Sequence, residues 1–283
     1  MSLRPKFAGR VPTLFALLCL GSAAMAHVAV DKQIEDLSRR IAGDPHQADL
    51  YLKRAELHRN LGSLDAALED FEHSRSLDPD RTRIDLYVGR MWLDAGEASL
   101  ALTHLDSYIK HHSGDPHALG LRAAARLQQN RPLEAAGDYS EAIRLLIADD
   151  RTPPPDFYLG RSRALARAGD EYLDEASRGL KDGITVLRHP ITLEVAAVEI
   201  DSRLGHVDEA LRRLERLSSS SPRAELWLLR RGNVLRTAGR YEDAREAYLQ
   251  ALESPGQISS LLHTEILRAL ESLAGNMSGE VEP

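Results

Sequence analysis

Cysteine is almost absent: 283 residues contain one, Cys19. That excludes an internal disulfide framework and any cysteine-based zinc site. An excess of basic residues is also missing, with 36 Lys and Arg against 43 Asp and Glu, a formal charge of −7. A dedicated nucleic-acid binder normally carries a basic stripe, so that class is set aside. No internal run of 18 or more apolar residues offers a membrane span. There is no phosphate-cradling glycine loop, nucleophile elbow or zincin motif, and no spacing joins a serine, a histidine and a carboxylate. An enzyme is therefore not expected, nor is a cofactor. Aromatic residues amount to only 5%, yet the apolar share of 43% is ample for a core and too high for general disorder.

The amino terminus reads as an address. Arg4, Lys6 and Arg10 precede an apolar stretch from Val11 to Leu20, followed by Gly21-Ser22-Ala23-Ala24-Met25-Ala26. This is a signal peptide over residues 1–26, with cleavage expected between Ala26 and His27. The alternative, an uncleaved anchor helix, has a short apolar stretch interrupted by Pro12. Leu18 before Cys19 argues against lipidation. Cleavage would leave 33 basic residues against 43 acidic ones, a charge of −10 and no cysteine. Export, to a bacterial periplasm or beyond it, is the expected localisation.

Beyond that address the chain repeats itself. Ala67, Ala101, Ala135, Ala176, Ala210 and Ala244 are spaced 34, 34, 41, 34 and 34 residues apart. Four residues after each stands a large apolar or aromatic side chain: Phe71, Leu105, Tyr139, Leu180, Leu214 and Tyr248. Gly62, Gly96, Asn130, Gly205 and Gly239 precede five of the alanines by five residues, and unit four uses Gly169. Prolines recur near the unit ends at Pro45, Pro79, Pro116, Pro155, Pro190, Pro222 and Pro255. Apolar residues at three- and four-residue spacing flank each turn residue, so each unit predicts two amphipathic helices. A left-handed glycine would end the first helix, and a Ser or Asp after it could cap the second. Alanine lets the two backbones approach, and the large residue one turn on fills the gap toward the next unit. A lone hairpin cannot bury its apolar face, so neighbours must stack.

These residues resemble the tetratricopeptide repeat (TPR) family. Leu228, Gly232, Leu235, Gly239, Tyr241, Ala244, Tyr248 and Ala251 form the cleanest copy, followed by Tyr51, Ala55, Gly62, Ala67, Phe71, Leu77 and Pro79. The resemblance implies an all-α, right-handed superhelical solenoid of about six hairpins with capping helices at both ends. Its expected parts are a capping helix over 27–43, repeats one to three over 44–148, and a Pro-rich loop over 149–155. Repeats four to six follow over 156–257, then a closing helix over 258–274 and a disordered tail over 275–283. The loop reads either as a hinge or as a stiff surface connection within a continuous array. Gly179 and Gly183 depart from the pattern, each costing about 1 kcal/mol against alanine inside a helix.

The same resemblance implies a function: a non-catalytic scaffold or assembly adaptor holding a partner polypeptide in a concave groove lined by the first helix of each hairpin. The implied inward positions are Leu52, Leu86, Leu159 and Leu229, with Arg59, Arg90, Arg163, Arg167, Arg203 and Arg236 further along. Arginine's planar fork suits carboxylates, so the partner segment is expected to bear acids, unless these arginines pair with acids of the chain itself. The Lys/Asn constellation of chaperone-binding relatives is absent, since Leu52 and Glu56 stand there. Among metal candidates, adjacent His111 and His112 diverge by about 100° on a helix, as a 3.6-residue turn requires. Asp78, Asp80 and Asp85 lack the glycine and glutamate of a calcium loop. His27 is the one alternative: with a free α-amine after cleavage it could chelate copper, the mark of a periplasmic metal-handling protein.

Overall fold

A left-handed turn residue and a close-packed alanine build one hairpin after another. The structure is a computed structural model, describing residues 14–79, 83–219, 223–254 and 259–278, with side chains from residue 29 to residue 273. Among the described residues there are fourteen α-helices, a single 3-10 turn and no strand. They divide after His112 into two compact units.

The first unit holds α1 (Leu14–Gly43), α2 (Ala48–Asn60), α3 (Leu64–Leu77), α4 (Arg83–Asp94) and α5 (Ala98–His111). Helix α1 begins inside the segment expected as a signal and continues through the expected capping helix. It packs on α2, and the hairpins α2–α3 and α4–α5 stack through α3 and α4. The second unit holds α6 (Pro116–Gln128), α7 (Pro132–Ala148), α8 (Pro155–Ala168), α9 (Leu173–Val186), α10 (Ile191–Arg203), α11 (Val207–Ser219), α12 (Ala224–Thr237), α13 (Tyr241–Glu253) and α14 (Ser260–Ser278). Four hairpins, α6–α7, α8–α9, α10–α11 and α12–α13, stack in sequence, and α14 covers the last. The break between units falls between the second and third hairpins. The Pro-rich link instead joins α7 and α8, which pack directly on each other.

Five of the six turns close the same way; the fourth, at Gly169 with φ 156°, leads into a 3-10 turn over Asp170–Tyr172 instead. Gly62, Gly96, Gly205 and Gly239 have φ between 72° and 82°, and Asn130 has 57°. The residue after each donates its backbone N–H five residues back, as Ser63 does to the His58 carbonyl at 2.9 Å and Arg240 to Leu235 at 2.9 Å. Orphan carbonyls of the first helix are thereby satisfied. Two expectations change. Ser63 makes no side-chain cap; side-chain caps stand instead at Asp115, which accepts from His117 N–H at 2.9 Å at the start of α6, and at Ser259, which accepts from Leu262 N–H at 3.3 Å at the start of α14. Prolines 116 and 155 occupy the first turn of the following helix, where a missing N–H costs nothing, so they open hairpins rather than close them.

The six repeat alanines are at most 1% exposed, and Phe71, Leu105, Leu180 and Tyr248 are fully buried beside them. Where glycine faces the large residue, contact is closest: a Cβ at Gly89 would stand 2.7 Å from Leu105 Cγ, and one at Gly232 would run into the Tyr248 ring.

Three residues after the alanine, the second helices of the first, third and fifth hairpins turn a charged side chain inward. Arg54 grips Asp70 through Nε at 2.8 Å and Nη2 at 2.7 Å, and Arg122 grips Asp138 in the same fork at 2.9 and 2.7 Å. The hydrogen bond to Asp70 raises the Arg54 pKa. In the fifth hairpin the signs are exchanged: Arg213 holds Glu194 at 2.7 Å and Asp201 at 2.9 Å, with all three buried. Burial pushes the Glu194 carboxyl up, but hydrogen bonds from His189 and Arg213 outweigh it and hold the group below its ordinary value.

This packing sets the cost of two substitutions. Gly232→Ala forces the buried Tyr248 ring to shift and costs about 1–3 kcal/mol, read as a lower urea midpoint. Arg213→Met leaves buried carboxylates without their guanidinium and costs about 3–5 kcal/mol near neutral pH. In the native chain the depressed Glu194 pKa contributes stability above its unfolded value, lost as pH falls through the folded one. In the variant, burial is opposed by His189 and the charge of Arg216 without the Arg213 hydrogen bond, and the Glu194 carboxyl rises, so the deficit is largest near pH 7 and shrinks on acidification. Urea melts of both proteins at several pH values check it; a deficit independent of pH would exclude this cause.

Candidate functional site

The first helices of the second unit build an inner surface. Helices α8, α10 and α12 each present a face at three- and four-residue spacing: Leu159, Ser162, Arg163, Ala166 and Arg167 on α8, and Ile191, Val195, Glu199 and Arg203 on α10. Helix α12 adds Leu226, Trp227 and Arg230, and Arg223 just before it joins them. Together they bound a groove of about 640 Å³. Five arginines and one acid, Glu199, surround an aliphatic floor.

The arginines differ in what they already do. Arg167 spends its guanidinium on the chain, donating to the Leu127 carbonyl at 3.2 Å and to Asn130 Oδ1 at 3.1 Å. Arg203 donates to the Ala166 carbonyl at 3.1 Å and to Asp170. Both therefore cap the carbonyl end of a preceding first helix, a favourable place for a cation. Arg163 is exposed and makes no ion pair among the described residues. Two further donors beside the groove lack acceptors among those residues: the indole N–H of Trp227, a residue only 6% exposed, and Nε–H of Arg230. An unsatisfied buried donor costs about 1–3 kcal/mol, so this wall is short of acceptors.

The first unit has a groove of another character. Leu37, Leu52, Leu57 and Tyr87 line about 750 Å³ between α1, α2 and α4, with Lys32, Lys53, Asp36 and Glu56 around it in balanced charge.

Of the residues expected on the inner surface, Leu159, Arg163, Arg167 and Arg203 come together in the second unit, while Leu52 lies in the first unit's groove. Leu86 is half-buried on α4, and Arg90 is exposed. Three positions turn inward instead. Leu229 is 3% exposed, packed with Ala251 and Ile266 because α14 covers the last hairpin. The Arg59 side chain, 9% exposed, is held by Glu56 on its own helix and Asp94 on the next hairpin. Arg236 hydrogen-bonds the Tyr248 hydroxyl, opposing the upward push of burial on that phenol. The α12 face was missed, although Arg223, Leu226, Trp227 and Arg230 recur at i, i+3, i+4 and i+7; aligning units on Leu229 placed the helix one residue out of register. His112 stacks on the Tyr108 ring at 4.3 Å. His27 lies outside the residues whose side chains are described. Among the described residues no group of three His, Cys, Asp or Glu is placed to hold a metal ion.

Comparison with known proteins agrees with this architecture. Solved structures of similar fold include a tetratricopeptide repeat protein from Parabacteroides merdae, 16% identical with a TM-score of 0.58, covering 90% of this chain and 98% of that one. The C-terminal part of a TPR repeat-containing protein from Cytophaga hutchinsonii is 13% identical, with a TM-score of 0.66 over 86% of this chain and 95% of that one. PilF of Pseudomonas aeruginosa is 14% identical, with a TM-score of 0.57 over 78% and 96%. At such identities the likeness is one of fold. The tetratricopeptide repeat family model matches residues 52–116, 89–150 and 196–258, more than half of the chain. With the alanine crossings, the left-handed turns and the sequential stacking of hairpins, these matches make the chain a member of the tetratricopeptide repeat family.

Proposed function

We propose that this chain is an exported, non-catalytic adaptor that holds an acid-bearing segment of a partner polypeptide in the groove between α8, α10 and α12. Repeat proteins of this family present extended surfaces to other proteins. The observation that carries the finer reading is the charge of one wall: Arg163, Arg167, Arg203, Arg223 and Arg230 against Glu199 alone, in a protein whose formal charge is −7. A surface so biased against the sign of the whole chain gains from carboxylates, which accept arginine's paired N–H groups. The aliphatic floor of Leu159, Val195 and Leu226 offers room for apolar side chains between those contacts. Trp227 and Arg230 supply donors that a partner's carbonyls or carboxylates would satisfy. Arg167 and Arg203 act as fixed positive rims, already anchored to helix ends, and Arg163 is the cation left for the ligand. The positive, apolar and small-residue blocks at the amino terminus support export.

Arg163→Glu is expected to lower partner recovery in a pull-down from the source organism about tenfold or more, since one close charge pair at an interface is worth about 1.4 kcal/mol or above. Binding to the native protein should weaken as salt rises, because the groove is open to solvent. With Trp92→Phe, Trp227 becomes the sole tryptophan, and its fluorescence should shift on binding. Undiminished recovery by Arg163→Glu, with an unchanged Trp227 signal, would remove this reading.

A further inference from the structure

In the fourth hairpin the charge pattern of the second helices is broken in a way that leaves an arginine facing a glycine. Three residues after the repeat alanine, the first, third and fifth hairpins place Asp70, Asp138 and Arg213, each locked to an opposite charge on the partner helix. In the fourth hairpin that position is Gly179. The arginine expected there is nevertheless present. Arg161 of α8 reaches across so that a Cβ on Gly179 would collide with its Nη1. Its other nitrogens have settled for substitutes: Nε donates to Ser140 Oγ at 2.7 Å, and Nη2 to Glu175 Oε1 at 2.6 Å. Glu175 is 44% exposed in its side chain, unlike the buried carboxylates of Asp70 and Asp138. Nη1 has no acceptor among the described residues, and the bidentate grip seen on Asp70 and Asp138 is missing.

Where that carboxylate would sit, the surface opens. A groove of about 600 Å³ runs between α7 and α9, with Arg161 and Tyr158 in its lining. Tyr158 is 4% exposed and its hydroxyl has no partner among the described residues. Burial raises that phenol, and Asp182 raises it further, so it stays protonated and remains a donor. Ile147 and Val186, 54% and 48% exposed, flank the opening with unpartnered aliphatic surface. Gly183 makes room for the ring itself. A Cβ there would stand 2.6 Å from Tyr158 Cγ, so only glycine lets the ring pass under α9. Of the two helix-weakening glycines, Gly179 lines the groove and Gly183 makes room for the ring beneath it.

We propose that this groove is a second docking site, in which a partner polypeptide inserts an aspartate or glutamate side chain over Gly179 to complete Arg161, with an adjoining aliphatic side chain between Ile147 and Val186. The guest carboxylate takes the place that the chain's own aspartate holds in the first and third hairpins, and one of its oxygens, or a backbone carbonyl beside it, meets the Tyr158 hydroxyl. The site opens between the second helices α7 and α9, and although Tyr158 and Arg161 come from α8, its lining shares no residue with the first-helix groove, so it is independent of the function proposed for that groove.

The test uses the full mature chain and a random dodecapeptide library displayed on phage. Enriched peptides are then synthesised and titrated by fluorescence anisotropy. The native protein is expected to select an acid beside an aliphatic residue. Exchanging that acid for its amide should weaken binding about tenfold, the usual scale for one lost charged pair. Gly179→Asp restores the missing carboxylate from within; Arg161 Nη1, the end of a flexible side chain, moves aside, and the variant should refuse these peptides while staying folded by circular dichroism. Ile147→Glu, at an exposed position, should refuse them without any change in melting temperature. Peptides bound equally well by Gly179→Asp and Ile147→Glu, or an amide as good as the acid, would overturn the proposal. So would recovery only of peptides that depend on Arg163, which would leave the first-helix groove standing and this site refuted.

Discussion

Close approach of two helix backbones at an alanine is the constraint on which the rest depends. At six places the alanine is sealed from solvent, and the residue one turn later fills the wedge beside it. Because the backbones are near, whatever stands three residues beyond the alanine is also forced inward, against the first helix. That position cannot stay polar and unpaired, since a buried charge without a partner is strongly destabilising. The repeat pattern therefore dictates more than shape: it creates one internal site per hairpin whose chemistry must be resolved within the chain or by a guest.

The hairpins resolve it differently. Asp70 and Asp138 answer an arginine of the first helix; His104 lies 3.0 Å from Asp85, which also accepts from Arg75 and Ser107; Arg213 answers Glu194 and Asp201. Burial raises the Asp85 carboxyl, but its hydrogen bonds to His104, Arg75 and Ser107 prevail and keep it low. In the last hairpin Ala247 needs no partner and joins the apolar core under α14. At Gly179 the first-helix arginine is kept and reaches the glycine itself, although the carboxylate that answers it in the first and third hairpins is gone. Buried ion pairs contribute little net stability compared with apolar packing, so their exchange of sign between hairpins is tolerated. The fourth hairpin differs because its arginine is answered from the side, by Ser140 and the half-exposed Glu175, and not by a buried carboxylate in a bidentate grip.

Periodicity made the hairpins readable, because glycine, alanine and an aromatic at fixed offsets report backbone requirements directly. Gly62 and Gly239 are needed for a left-handed conformation, and Ala67 and Ala244 for the crossing; such demands leave a trace in one sequence. The inner surface was less legible. Leucines 52 and 229 occupy matching repeat positions, yet one borders a groove and the other is sealed under a closing helix, a difference set by the neighbour and not by the repeat. Arg59 likewise could not be told from Arg163 until Asp94 of the following hairpin was seen beside it. The Arg–Asp locks were open to view, at an equal separation of sixteen residues in Arg54–Asp70 and Arg122–Asp138, but charged residues on amphipathic helices look like solvated faces when only periodicity is counted.

Charge is sorted accordingly. Acids outnumber bases along the chain, and many exposed acids on second helices are matched locally: Glu141 by Arg144, Glu209 by Arg212, and Asp243 by Arg240. Exposed pairs of this kind contribute little energy, yet they neutralise the outer faces. Arginines on α8, α10 and α12 face one another across a groove with a single acid among them, so the field there keeps its sign. Mutual repulsion among these cations is relieved in part by helix carbonyl ends, which hold Arg167 and Arg203. The remaining unsatisfied capacity sits at Arg163, Trp227 and Arg230. The fold thus pairs charges along its second helices while leaving donors unanswered in the groove between α8, α10 and α12.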